Sequence, residues 1–192
     1  LAAFFGGLGL YGKLSFAWAL GALAVLAAVA WLLEKRQRHL GDPPRRAHLR
    51  PALIAAACFL LPLIPLIVFN LQTGGTLASI FGNLGKSYYG VDNSAYVPNL
   101  LFRVRQLGDL LRGDHFWYLG RPYANAAAPW LALGLVLLTA VSFSLSRPRR
   151  RVPVLVPLAL LALMIAQSAF TVSDLFITHY ALLLPLVPLV GG

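Results

Sequence analysis

The chain has 192 residues, 59% apolar and only 11% charged, with a mean hydropathy of +0.74, and that composition excludes a water-soluble globular domain. Sixteen Lys and Arg against six Asp and Glu give a formal charge of +10, a balance that means nucleic acid in a soluble protein and cytoplasmic loops in a membrane protein. The single Cys58 excludes a disulfide framework or a thiolate metal cage within the chain, because both need paired cysteines.

The first residues, 1–12, read as the outer end of a span whose start is missing, and the last, PLVPLVGG, break off inside an apolar run. The expectation is a piece of a longer protein, forming one transmembrane helical domain over 1–192. Gly7, Gly9 and Gly12 match G-x-G-x-x-G, and Gly7 to Lys13 match G-x-x-x-x-G-K. Leu14 stands where a phosphate loop needs Ser or Thr for magnesium, and no strand precedes it. Small residues that let membrane helices approach closely are the better account.

Residues 14–33, LSFAWALGALAVLAAVAWLL, carry no charge and reach about 30 Å as a helix, the thickness of a hydrocarbon core. A basic loop follows at 34–50, with Lys35, Arg36, Arg38, Arg45, Arg46 and Arg50, and with Pro43 and Pro44 preventing continuous helix. His39 and His48 in it lack metal-ligand spacing. The second span covers 51–70, where Pro51 suits a first turn and Pro62 and Pro65 predict a kink near the far end.

Residues 71–128 are too long for a connector and too poor in alternation for a sheet. They predict juxtamembrane helices. In GGTLASIFGNLG, Leu77, Ile80, Phe81 and Leu84 recur at helical spacing; in PNLLFRVRQLGDLLRGD, Leu100, Val104, Leu107 and Leu111 do so, opposite Arg105, Asp109 and Arg112. Asn99 is the expected N-cap of the second helix, and Asp109 is expected to pair with Arg105 and Arg112. A third span at 129–146 and a fourth at 152–170 flank Arg147, Arg149, Arg150 and Arg151, and a fifth begins at 181.

Ten of the sixteen basic residues thus fall in 34–50 and 147–151, and the positive-inside rule places both in the cytoplasm. Residues 71–128 and 171–180 are then outside. The fold class expected is all-α and polytopic, about five spans with a long non-cytoplasmic loop. Topology alone accounts for the basic loops, so no nucleic-acid partner is assigned.

On the outer side stand Lys86, Tyr88, Tyr89, Arg103, Arg105, His115, Tyr118, Arg121, His179 and Tyr180. Tyr and Trp at this depth ordinarily form an aromatic belt at the headgroups. Cations on the disfavoured side need a reason, and an anion such as a lipid phosphate supplies one, with Arg as a bidentate fork and Lys as a point charge. Aromatic faces beside them would suit a sugar ring. Asp92, Asp109, Asp114 and Asp174 accompany His115, but no spacing pairs them into a hydrolytic set, so no catalytic residue, metal or cofactor is assigned.

The order GLGLYGKLSF, PLIPLIVFNLQTGGT, a long outer loop and HYALLLPLVPLV resembles the C-terminal half of the GT-C superfamily of integral-membrane glycosyltransferases, in particular bacterial relatives of protein O-mannosyltransferases and aminoarabinose transferases. The resemblance implies inverting transfer of a sugar from a polyprenyl-phosphate carrier to an acceptor, on the non-cytoplasmic face of the bacterial inner membrane. It implies a general base in an earlier outer loop, within the rest of the full-length enzyme, so residues 1–192 would be inactive alone. It also implies carrier and acceptor binding at Lys86 to Tyr89, Arg103 and Arg105, His115 to Tyr123, and His179 with Tyr180. The competing readings are a transporter or flippase segment, which would carry charges inside its spans, and a non-catalytic assembly subunit.

Overall fold

The computed structural model describes residues 1–37, 49–82, 92–114, 124–145 and 148–170. These are about 89% helical, with no strand among them, and the fold is that of an all-α, polytopic membrane protein. The chain divides into two compact units, Leu1–Gly82 and Asn83–Gly192.

In the first unit, α1 (Ala2–Gly12) gives way at an extended Lys13 to a 3-10 turn, Leu14–Phe16, and then to α2 (Ala17–Gln37). Leu14–Arg36 is long and apolar enough to cross a bilayer. The stretch expected as loop from residue 34 begins instead as helix, with Lys35 and Arg36 in the last turn of α2. Cations there complement the negative end of the helix dipole, and the Lys35 ammonium lies 5.3 Å from the centre of the Trp31 ring.

The second crossing, Leu49–Thr73, consists of α3 (Leu49–Leu60), a 3-10 turn at Leu61–Leu63, and α4 (Ile64–Thr73). Its break falls where the two prolines predict it. Pro65 has no N–H for the Leu61 carbonyl four residues back, and the Ile64 N–H takes that acceptor instead, tightening the turn. α1 packs against α3 and this turn, and Gly7 is buried there. A methyl group on Gly7 would overlap the Phe59 carbonyl oxygen and stand 2.8 Å from Pro62 Cγ, and one on Gly9 would stand 2.8 Å from the Phe16 ring. The close helix approach expected of these glycines is thus located at Gly7; Gly9 makes room for the Phe16 ring of the following turn, and Gly12 has nothing within 4 Å.

α4 ends at Gly74, whose φ of 64° is the left-handed cap glycine adopts at no steric cost. α5 (Gly75–Gly82) follows at once, and Asn70 Oδ1 accepts the Leu77 N–H at 3.0 Å while Thr73 Oγ1 accepts that of Gly75 at 3.0 Å. Two side chains of α4 therefore satisfy the free N–H groups opening α5. Leu77, Ile80 and Phe81 on it are exposed, and Leu84 lies outside the described residues.

The second unit packs α6 (Tyr96–Arg112), α7 (Ala128–Leu145) and α8 (Pro148–Ser168) on one another. α7 matches the third predicted span and is long and apolar enough to cross; α8 covers most of the fourth. The expected N-cap at Asn99 is corrected: α6 begins four residues earlier, at Tyr96, with Ala95 at the cap. Pro98 sits inside the first turn, where its missing N–H would have had no helical partner, so it does not delay the helix. Residues 171–180 and the fifth span from 181 lie outside the described residues. Only 6% of an 18-residue stretch of the crossing at Leu49–Thr73, and 6% of that at Ala128–Leu145, is buried, an apolar surface that a bilayer covers and water does not.

Candidate functional site

Tyr96, Asn99, Arg103, Gln106 and Leu110 follow one another at steps of three and four, so they share one face of α6. That face docks on the C-terminal end of α8. Arg103 is 1% exposed; its Nε–H donates to the Ser168 carbonyl at 3.2 Å, and Nη1 donates to Gln106 Oε1 at 2.9 Å. Asn99 Nδ2 donates to the Asp92 carbonyl at 2.9 Å and to that of Ala169 at 3.4 Å, and Tyr96 Oη donates to the Ala166 carbonyl at 3.4 Å. The Tyr96 and Phe170 rings are 4.5 Å apart.

The cause is electrostatic. The last carbonyls of a helix have no intrahelical donors and carry the negative end of its dipole, so a guanidinium placed there is both a donor and a counter-charge. A buried cation without such partners would cost several kcal/mol.

The expected apolar stripe is only partly the buried one. Leu110 is buried, Leu100, Leu107 and Leu111 are half-buried, and Val104 is exposed together with Val97 and Leu101. Arg103 and Asn99 find acceptors at the end of α8, so α6 turns its polar stripe toward that helix. The ion pair of Asp109 is also narrower than expected: among the described residues its partner is Arg112, at 3.8 Å.

Of the ten residues singled out in the sequence, Arg103 and Arg105 lie on α6, the first buried against α8 and the second exposed. Lys86, Tyr88, Tyr89, His115, Tyr118, Arg121, His179 and Tyr180 lie outside the described residues. Asp92 closes a turn, its Oδ1 accepting the Ser94 N–H at 2.8 Å and the Ser94 hydroxyl. No three His, Cys, Asp or Glu gather among the described residues.

A feature missed in the sequence lies where α6 ends and α7 begins. The Asn125 N–H donates to the Arg112 carbonyl at 2.8 Å, while Asn125 Oδ1 accepts the Ala127 N–H at 3.1 Å, which fixes the entry to α7. A cavity of about 500 Å³ opens there, lined by Arg112, Ala126, Pro129, Trp130 and Leu133. A second groove, of about 600 Å³, shares Trp130 as a wall and is lined along α7 by Leu131, Gly134, Leu135 and Leu138. The signal for it was a tryptophan at the start of an apolar run, after an arginine-bearing helix.

Compared with family models, curated proteins and solved structures, the chain matches none. Fold and geometry define its class: a multi-span helical membrane protein in which an amphipathic helix carries cations beside an apolar groove.

Proposed function

We propose that the chain is the C-terminal part of a membrane glycosyltransferase that moves a sugar from a polyprenyl-phosphate donor to an acceptor on the non-cytoplasmic face of a bacterial inner membrane. The observation that carries this reading is the mounting of α6. Its buried face is fixed to α8 through Arg103, and its outer surface combines exposed Val97, Leu101 and Val104 with exposed Arg105. Such a helix suits a bilayer surface and offers a cation to a lipid-borne phosphate.

In the transfer, the bond from the sugar C1 to the phosphate oxygen breaks, and its electron pair stays on the phosphate. The acceptor oxygen bonds C1 and gives its proton to a base. The leaving phosphate gains charge as the bond lengthens, so a cation aimed at it stabilises the transition state more than the ground state. Arg105 takes that role, with Lys86 and Arg121 as further candidates. The base belongs to an earlier outer loop of the complete enzyme, as the resemblance implies.

The test is glycosyl transfer by the full-length protein in proteoliposomes with a polyprenyl-phosphate sugar. Arg105→Gln is expected to lower kcat about tenfold or more, the worth of one charge-assisted contact, without changing the melting temperature. An unchanged rate removes the phosphate role. Sidedness is checked in a Cys58→Ser background carrying Arg105→Cys, and labelling from the cytoplasm alone overturns the reading.

A further inference from the structure

We propose that the groove between the end of α6 and the first turns of α7 is a binding site for an anionic phospholipid, its phosphate on Arg112 and one acyl chain along α7. Three observations converge on this occupant. Arg112 is 51% exposed at the mouth, and its contact with Asp109, at 3.8 Å, is longer than a charge-assisted hydrogen bond, so donors of its fork remain for a phosphate. Trp130, 74% exposed, lines both the cavity and the groove, a place for an indole between headgroup and tail. From Trp130 to Leu138 the groove runs along two turns of helix, about 12 Å, and its walls are apolar.

Gly134 is what leaves the floor of the groove open. A Cβ there would meet nothing within 4 Å, so the space is free for a chain of methylenes. A zwitterionic lipid would offer the same tail but would bring its own cation toward Arg112. A free phosphate would lack the tail. The charge and the groove together therefore select a diacyl lipid with net negative charge. This inference does not rest on the transferase reading, since a resident phospholipid would serve a transporter equally.

The experiment uses the delipidated full-length protein with Trp18, Trp31, Trp117 and every tryptophan outside residues 1–192 changed to Phe, which leaves Trp130 as the fluorophore. Brominated phosphatidylglycerol is expected to quench it at concentrations about tenfold lower than brominated phosphatidylcholine. Arg112→Gln is expected to erase that preference. Gly134→Phe, whose Cβ meets no atom within 4 Å, is expected to put its ring in the groove and weaken both lipids about tenfold with the melting temperature retained. Equal quenching by the two lipids, or no effect of either variant, overturns the proposal. So does protection of Trp130 by inorganic phosphate alone, or by undecaprenyl phosphate in preference to phosphatidylglycerol, which would give the groove to the sugar carrier. Absence of glycosyl transfer by the unaltered protein, with its lipid preference intact, would sink only the transferase reading.

Discussion

Replacing Arg103 by Met keeps most of the side-chain volume but removes the donors to the Ser168 carbonyl and to Gln106 Oε1. Each oxygen left dry costs about 1–3 kcal/mol, and release from desolvating a guanidinium returns part of that, so the net loss is about 2–4 kcal/mol. The loss is local to the contact of α6 with the end of α8. Hydrogen exchange of the amides at 166–169 is therefore expected to accelerate roughly a hundredfold in mild detergent, with a lower melting temperature. Arg103→Lys retains the charge but cannot span both acceptors, and about half the effect is expected. A variant with unchanged melting and exchange, but with a raised KM for the lipid donor, would refute the reasoning, because the guanidinium would then be engaged by ligand rather than by α8.

Gly7→Leu is expected to destabilise the first unit by about 1–3 kcal/mol through overlap with Phe59 and Pro62, whereas Gly12→Leu changes it by less than about 0.5 kcal/mol. Parallel thermal melts of the two variants decide, and equal behaviour would place the helix contact elsewhere. Asn70→Ala removes the acceptor of the Leu77 N–H and the donor to the Leu66 carbonyl at 2.8 Å, costing about 1–2 kcal/mol. Faster exchange of the Leu77 amide is the readout; an unchanged rate would mean that Asn70 does not hold the start of α5.

The crossings were legible because an uncharged run such as 14–33 has one physical outcome in lipid, and the break at Leu61–Leu63 because Pro62 and Pro65 each remove a donor. The existence of α6 was legible from Leu100, Val104, Leu107 and Leu111, but not which face it buries. Apolar periodicity marks a face that can be buried, but the stripe Tyr96, Asn99, Arg103 and Gln106 carries the stronger demand because its polar groups need partners once buried. Its partners, carbonyls near residue 168, leave no mark in side-chain sequence. Asn99 failed as a cap for a related reason: Pro98 reads as preceding a helix, although the first turn accepts it equally well. Arg112 and Trp130 are separated by a segment that only the fold closes through Asn125.

The bond from Arg103 to Ser168 spans 65 positions, and this has a consequence for biogenesis. At about 5–20 residues per second, a ribosome makes the arginine roughly 3–13 s before the carbonyl that receives it. Over that interval the nascent cation has to be kept hydrated or held by an insertase or a headgroup. Docking of α6 is thus a late event in synthesis, gated by arrival of the end of α8, and a ribosome stalled before residue 168 would present α6 with its arginine still open to solvent.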